Sequence, residues 1–200
     1  MLDHSLRLTF RNFSTYFLIV ATLAVPLHVG YTFVFQNVIS VTELHDAIED
    51  FPKTRQIRSV GPEQLRNARL VFGALTLVEL LALPLLARAA RRVLEEDAAG
   101  RMPQVTSAWA GVGRAGNLLG GLRARPGVIA VGALLALVVV VLAERIGFLL
   151  VEPLPDADAW AGVALVQIAA RSLGAPFLVV PWAVASGEKS PERVVTPGLY

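Results

Sequence analysis

The sequence predicts an all-α, polytopic membrane protein with four transmembrane helices and two interfacial amphipathic helices. Three observations carry that expectation. The chain of 200 residues is 54% hydrophobic and only 17% charged, too apolar for an ordinary soluble domain. Four of its stretches are long and apolar enough to cross a hydrocarbon core ~30 Å thick. The segments between them hold Gly, Pro and charge in the arrangement of helix ends and surface connections.

Composition also excludes several functions. Lys and Arg number 18 against 16 acids, a net charge of +2, and no dense basic run with interleaved aromatics is present, so nucleic acid is not an expected partner. The absence of cysteine removes disulfides, thiolate metal sites and cysteine nucleophiles. No HExxH zinc helix, GxSxG elbow or phosphate-binding P-loop is present, so an enzyme is not expected.

Taken in order, residues 2–12 place Leu2, Leu6 and Phe10, with Phe13 just beyond, opposite His4, Arg7 and Arg11, the pattern of a short helix lying at a membrane surface. It leads into a first span over 13–39. Apolar character continues past Pro26 without a small-residue cleavage site, which favours an uncleaved signal-anchor over a signal peptide. Ala21, Ala24, His28, Thr32 and Gln36 share one face of this span. Residues 40–67 form a polar connection in which 41–50 is expected to be a short acidic helix. Gly61-Pro62-Glu63 then reads as a helix start with Pro in the first turn.

The second span, 68–87, has Gly73, Thr76 and Glu79 on one face. Its helix should project past Arg88, Arg91 and Arg92 until Gly100 supplies a left-handed stop and Pro103 prevents continuation. Residues 103–125 read as the second interfacial helix, with Trp109 placed for the headgroup zone. Within it, Gly111, Gly113 and Gly116 match GxGxxG, but no strand precedes them, so a dinucleotide site is not expected.

The third span, 127–151, carries Ala133, Ala136, Val140, Ala143 and Gly147 along one side, and small residues at that spacing favour close helix packing in lipid. The fourth span, 160–185, should bend at Pro176 and Pro181 and has Gln167 and Arg171 on one face. Residues 1–186 thus form a single helical membrane domain, and 187–200 a polar tail. Bases cluster in the amino-terminal segment, between residues 88 and 125, and in the tail, while the connection after the third span has none. The positive-inside rule then places both termini in the cytoplasm. Ala, Val, Leu and Arg richness with just two Lys suggests a GC-rich bacterial genome, and the expected location is the bacterial cytoplasmic (inner) membrane.

The residues that most invite a function are the ionisable and polar ones inside the spans. Counted at ~1.5 Å per residue from the far ends of their helices, His28, Glu79 and Arg171 lie about 16 Å deep and Glu144 and Arg145 about 10 Å. With Gln167 they form a candidate cluster. Glu79 is expected to pair with Arg171 or Arg145, and Glu144 with the remaining arginine, since adjacent residues on a helix face different ways. Such a set either fixes the register of apolar helices or lines a proton or solute pathway, and the first reading is favoured because no transporter-type internal repeat is present. His28 has no second ligand in the spans, so no metal or cofactor is expected. Arg88, Arg91, Arg92, Trp109, Arg114, Arg123 and Arg125 are candidates for contact with lipid headgroups. Glu95, Glu96 and Asp97 read as a solvated helix end.

Three patterns resemble a known bacterial family. They are Leu6-Arg7 with Phe10-Arg11-Asn12-Phe13 before the first span, Val105-Thr106-Ser107-Ala108-Trp109 before the third, and Phe177 to Pro181 with Ala185 to Pro191 around the end of the fourth. The family is the multi-pass membrane domain fused to some glycerophosphodiester phosphodiesterases, with its uncharacterised stand-alone relatives. The resemblance implies a helical membrane domain without catalysis of its own and supplies no catalytic residues. The basic helix and final spans of longer members are not matched after Pro191. The expected function is therefore that of a non-catalytic subunit, scaffold or envelope-maintenance factor, with membrane lipids and other membrane subunits or copies of itself as partners. The alternative is a carrier or channel for protons or a small solute.

Overall fold

The computed structural model describes residues 2–35, 61–110, 112–114, 123, 125–154 and 156–187. The acidic helix expected over 41–50, residues 111, 115–122 and 124 of the second interfacial helix, and the tail beyond 187 lie outside the described residues. All regular structure among the described residues is helical: α1 (Leu2–Arg11), α2 (Phe13–Phe35), α3 (Pro62–Ala98), α4 (Val105–Ala110) with a 3-10 turn at Val112–Arg114, α5 (Pro126–Val151), α6 (Asp156–Gly174) and α7 (Pro176–Gly187). Four helical stretches are long and apolar enough to span a membrane: α2, α3, α5 and the α6–α7 pair, Asp158–Ser186.

The fourth span is the centre of the bundle. It is the least hydropathic of the four, at 1.8, and the most buried. α6 packs against α2 and α5, and α7 against α5, α3 and α1. Pro176 has no N–H to give the preceding turn, and the span divides at Ala175. There the Ala175 amide still donates to Arg171 O at 2.9 Å, while Leu178 and Val179 both donate to Ala175 O at 3.0 Å. Helix α7 continues through Pro181.

Close approach to α5 depends on absent side chains. A Cβ on Gly132 would lie 2.6 Å from Phe177 O, and one on Gly174 would lie 2.9 Å from Ala136 O, so backbone occupies the space on both sides. Ala136 is buried in this seam, and Gly147 rests on Val166. This is the small-residue packing expected where dispersion, not hydrophobicity, holds helices together.

At one end of the bundle, bearing most of the arginines and here termed the basic end, α3 closes as anticipated. Gly100 has φ of 68°, its amide donates to Asp97 O at 3.0 Å, and the Arg101 amide donates to Glu96 O at 2.9 Å, the paired bonds of a Schellman motif. The reading of Glu95 to Asp97 as a solvated end is corrected. Glu96 is buried and accepts from Ser107 Oγ at 2.9 Å, Asp97 pairs with Arg11 at 3.1 Å, and only Glu95 is exposed, held by Arg91 and Arg92. These contacts fasten α1 and α4 to the end of α3.

Helix α1 also docks differently from its apolar face. Ser5 and Thr9 are fully buried, each hydroxyl donating to a carbonyl of its own helix, while Phe10 stays 63% exposed with one edge on Phe177. Of the large apolar residues, Leu8 packs partly against the core of the basic end, Leu2 and Leu6 are half-buried, and Phe10 is the one left exposed.

Candidate functional site

The interior has two apolar cores. One, at the basic end, gathers Tyr16, Ile19, Leu86, Val93 and Val180. The other, at the far end, gathers Tyr31, Phe35, Leu75, Val151 and Trp160, with Phe35 between Tyr31 and Trp160 at ring separations of 4.5 and 5.1 Å. Between the cores lie His28 from α2, Glu79 from α3, Glu144 from α5, and Gln167 and Arg171 from α6.

Arg171 is the hub. Its Nε donates to Glu79 Oε1 at 3.0 Å and its Nη1 to Glu144 Oε1 at 2.6 Å. α3 and α5 share no extended contact, so the guanidinium bridges two helices that otherwise meet only through the fourth span. The fork of Arg suits this task, because its donors are fixed in different directions. His28 is fully buried. Its Nε2 lies 3.0 Å from Glu79 Oε1 and its Nδ1 3.0 Å from Gln167 Oε1. Both ring nitrogens therefore face oxygen acceptors, an arrangement that matches a doubly protonated imidazolium; rotating the Gln167 amide by half a turn matches the neutral ring instead.

Two carboxylate oxygens are left over among the described residues, Oε2 of Glu79 and Oε2 of Glu144. Glu79 Oε1 takes both the His28 and the Arg171 bonds, whereas Oε2 has no partner among the described residues and is not occluded. Glu79 and Arg171 line a cleft of about 180 Å³ between α2 and α3, whose remaining walls are apolar apart from Thr76.

Of the sequence candidates, His28, Glu79, Glu144, Gln167 and Arg171 are thus brought together. Arg145 is not, which corrects the expectation that it would take one of the two acids. It is exposed on the outer side of α5 beside Ile146 and Leu149, and no acid among the described residues lies within bridging distance. The headgroup candidates divide as well. Trp109 is half-buried against the core of the basic end, its indole nitrogen occluded. Arg88 is half-buried with an occluded Nε, Arg91 and Arg92 hold Glu95, Arg123 is exposed and Arg125 half-buried. The side chain of Arg114 lies outside the described residues. The Glu96–Ser107 and Arg11–Asp97 links were not foreseen, although a Ser eleven residues after a helix-end Glu, across a Gly-Pro turn, is a pattern that permits them.

No protein-family model, curated protein or solved structure matches the chain.

Proposed function

We propose that the chain is a non-catalytic integral membrane protein, acting as a subunit, scaffold or envelope-maintenance factor in a bacterial cytoplasmic membrane, with its basic end on the cytoplasmic side. The observation that supports this reading best is the mutual pairing of Glu79, Glu144 and Arg171 between two apolar cores. Charges held by each other at one level tie three spans into one register, and His28, bonded to Glu79 and Gln167, adds the first span to it. The outward faces of α3 and α5, including Leu77, Leu81, Leu134 and Leu142, remain broadly apolar and exposed, as a protein surrounded by lipid and membrane partners requires. The resemblance to non-catalytic membrane domains agrees with it, and anionic headgroups at Arg91, Arg92 and Arg123 are the lipid contacts it entails. Native mass spectrometry from mild detergent, after crosslinking in the membrane, is expected to show a homo-oligomer or a stoichiometric partner. A stable, partner-free monomer would count against the proposal.

A second reading, a carrier or channel for protons or a small solute, draws on the unpartnered Glu79 Oε2 beside the cleft. In liposomes, Glu79→Gln and Glu144→Gln are then expected to abolish flux while the protein stays folded. Loss of stability in both variants, without a folded and flux-deficient form, would assign the acids to architecture alone.

A further inference from the structure

The third span carries a charge that the bundle leaves unused. Helix α5 turns Glu144 inward, where its Oε1 accepts from Arg171 Nη1 at 2.6 Å. The same rotation sets Arg145 on the outer side, exposed, with no acid among the described residues within bridging distance. Leu134, Val138, Val141, Leu142 and Leu149 are exposed as well, and at ~100° per residue all five fall within about 60° of Arg145 around the helix. The outer face of α5 is thus an apolar stripe with one guanidinium in it. A charge among apolar groups inside a bilayer is costly until an opposite charge or water meets it.

Depth decides what can meet it. Arg145 adjoins Glu144, a member of the polar level between the two cores, and Val151 of the same helix belongs to the far core with Tyr31, Phe35 and Trp160. From Arg145 to Val151 is about 9 Å of helix, and Val151 is itself buried in that core. A helical side chain leans toward the turn on its amino-terminal side. Helix α5 runs from the basic end to the far end, so it directs the guanidinium toward the Val141–Leu142 turn and away from the far surface. Lipid phosphate at that surface is therefore poorly placed to reach it, and the opposite surface is farther still. A second copy of the chain fits no better. Across 13–39, 68–87, 127–151 and 160–185 the only acids are Glu79 and Glu144, and Arg171 holds both. A copy related by a two-fold axis along the membrane normal would also set Arg145 against Arg145. We propose that the outer face of α5 binds a transmembrane helix of a different protein, with its apolar side along the stripe and an Asp or Glu carboxylate inside that helix paired with Arg145. The inference rests on the reading of the chain as a membrane subunit, and it names how the partner is recognised.

The probe is a synthetic transmembrane peptide of about 24 Leu and Ala residues with one Glu at the level of Arg145, beside a counterpart with Gln in its place. Asp158→Cys gives the otherwise cysteine-free chain one site for a fluorophore, and energy transfer to the labelled peptide in phosphatidylcholine vesicles reports association. The Glu peptide is expected to associate about tenfold more tightly than the Gln peptide. Arg145→Leu should abolish that preference, and Arg145→Glu should transfer it to a peptide carrying Arg, with thermal unfolding of both variants unchanged within a few degrees. Equal association of the Glu and Gln peptides, or a Glu preference retained in folded Arg145→Leu, would overturn the proposal. Loss of the preference when phosphatidylglycerol replaces part of the phosphatidylcholine would overturn it in favour of lipid phosphate. Disulfide-linked dimers of Leu142→Cys in native membranes would overturn it in favour of a second copy. Should a variant fail to fold, the two peptides compared on the chain with Arg145 intact decide the matter alone. The subunit reading is separable: a native partner still retained by folded Arg145→Leu would overturn this proposal and leave that reading standing, whereas a partner-free monomer that selects the Glu peptide would do the reverse.

Discussion

Arg171 shows what one residue can decide. It holds Glu79 with Nε and Glu144 with Nη1, and a lysine, with a single compact ammonium on a flexible stem, cannot reproduce both directions at once. Arg171→Leu is expected to destabilise the bundle by about 3 to 5 kcal/mol, because it leaves two carboxylates without their cation. Arg171→Lys should fall between Leu and the unmodified chain, and thermal unfolding in detergent checks the order. That polar residues would gather inside the spans was legible, since such residues are rare in lipid and lie at similar distances along their helices. Which arginine would serve was not. Arg145 and Arg171 differ by which way each helix is rotated, and α5 turns Glu144 inward at the expense of its neighbour. Depth counting carries no information on rotation, and the neighbouring apolar residues of α5 are too uniform to supply it.

At the scale of elements, the seam between α5 and the fourth span is built on glycine. Gly132→Leu and Gly174→Leu are each expected to cost about 1 to 3 kcal/mol through overpacking, because backbone oxygen stands where the new side chain would go. Gly73→Ala, with nothing within 4 Å of the new methyl, should be tolerated, and the three unfolding temperatures compared side by side test the distinction. The sequence indicated a small-residue face on α5 from Ala136 and Gly147, and the break near Pro176 followed from the missing donor. Gly132 escaped notice because it lies beside that face in the periodicity, and it is needed only because Pro181 and Phe177 of α7 approach from a direction set by the break. α1 misled for the opposite reason. An amphipathic pattern identifies the apolar side but not whether lipid or protein covers it, and here lipid is left with Phe10 while Ser5 and Thr9 take the protein contact.

At the scale of the whole molecule, four apolar helices and their helical class were legible because a span of ~20 residues is the strongest pattern a sequence offers. The division of the interior into two cores with a polar level between them was not, since it emerges only when four helices are set in register. The orientation proposed from the distribution of bases has the end with Arg101 in the cytoplasm and the connection around Asp158 outside. The chain has no cysteine, so Arg101→Cys and Asp158→Cys can be probed in an otherwise unreactive background. An impermeant maleimide applied to spheroplasts should label the second and spare the first; the reverse pattern would invert the topology.

The fastening of Glu79 by a residue 92 positions later bears on how the chain is made. When α2 and α3 leave the ribosome, Glu79 has His28, 51 positions earlier, as its available partner, and Glu144 then enters before any arginine of the fourth span exists. That last segment is the least apolar of the four and brings Gln167 and Arg171 with it. Its passage from the translocation channel into lipid is therefore favoured by acids already waiting in the nascent assembly, so that biogenesis ends with the helix that the first three have prepared a place for.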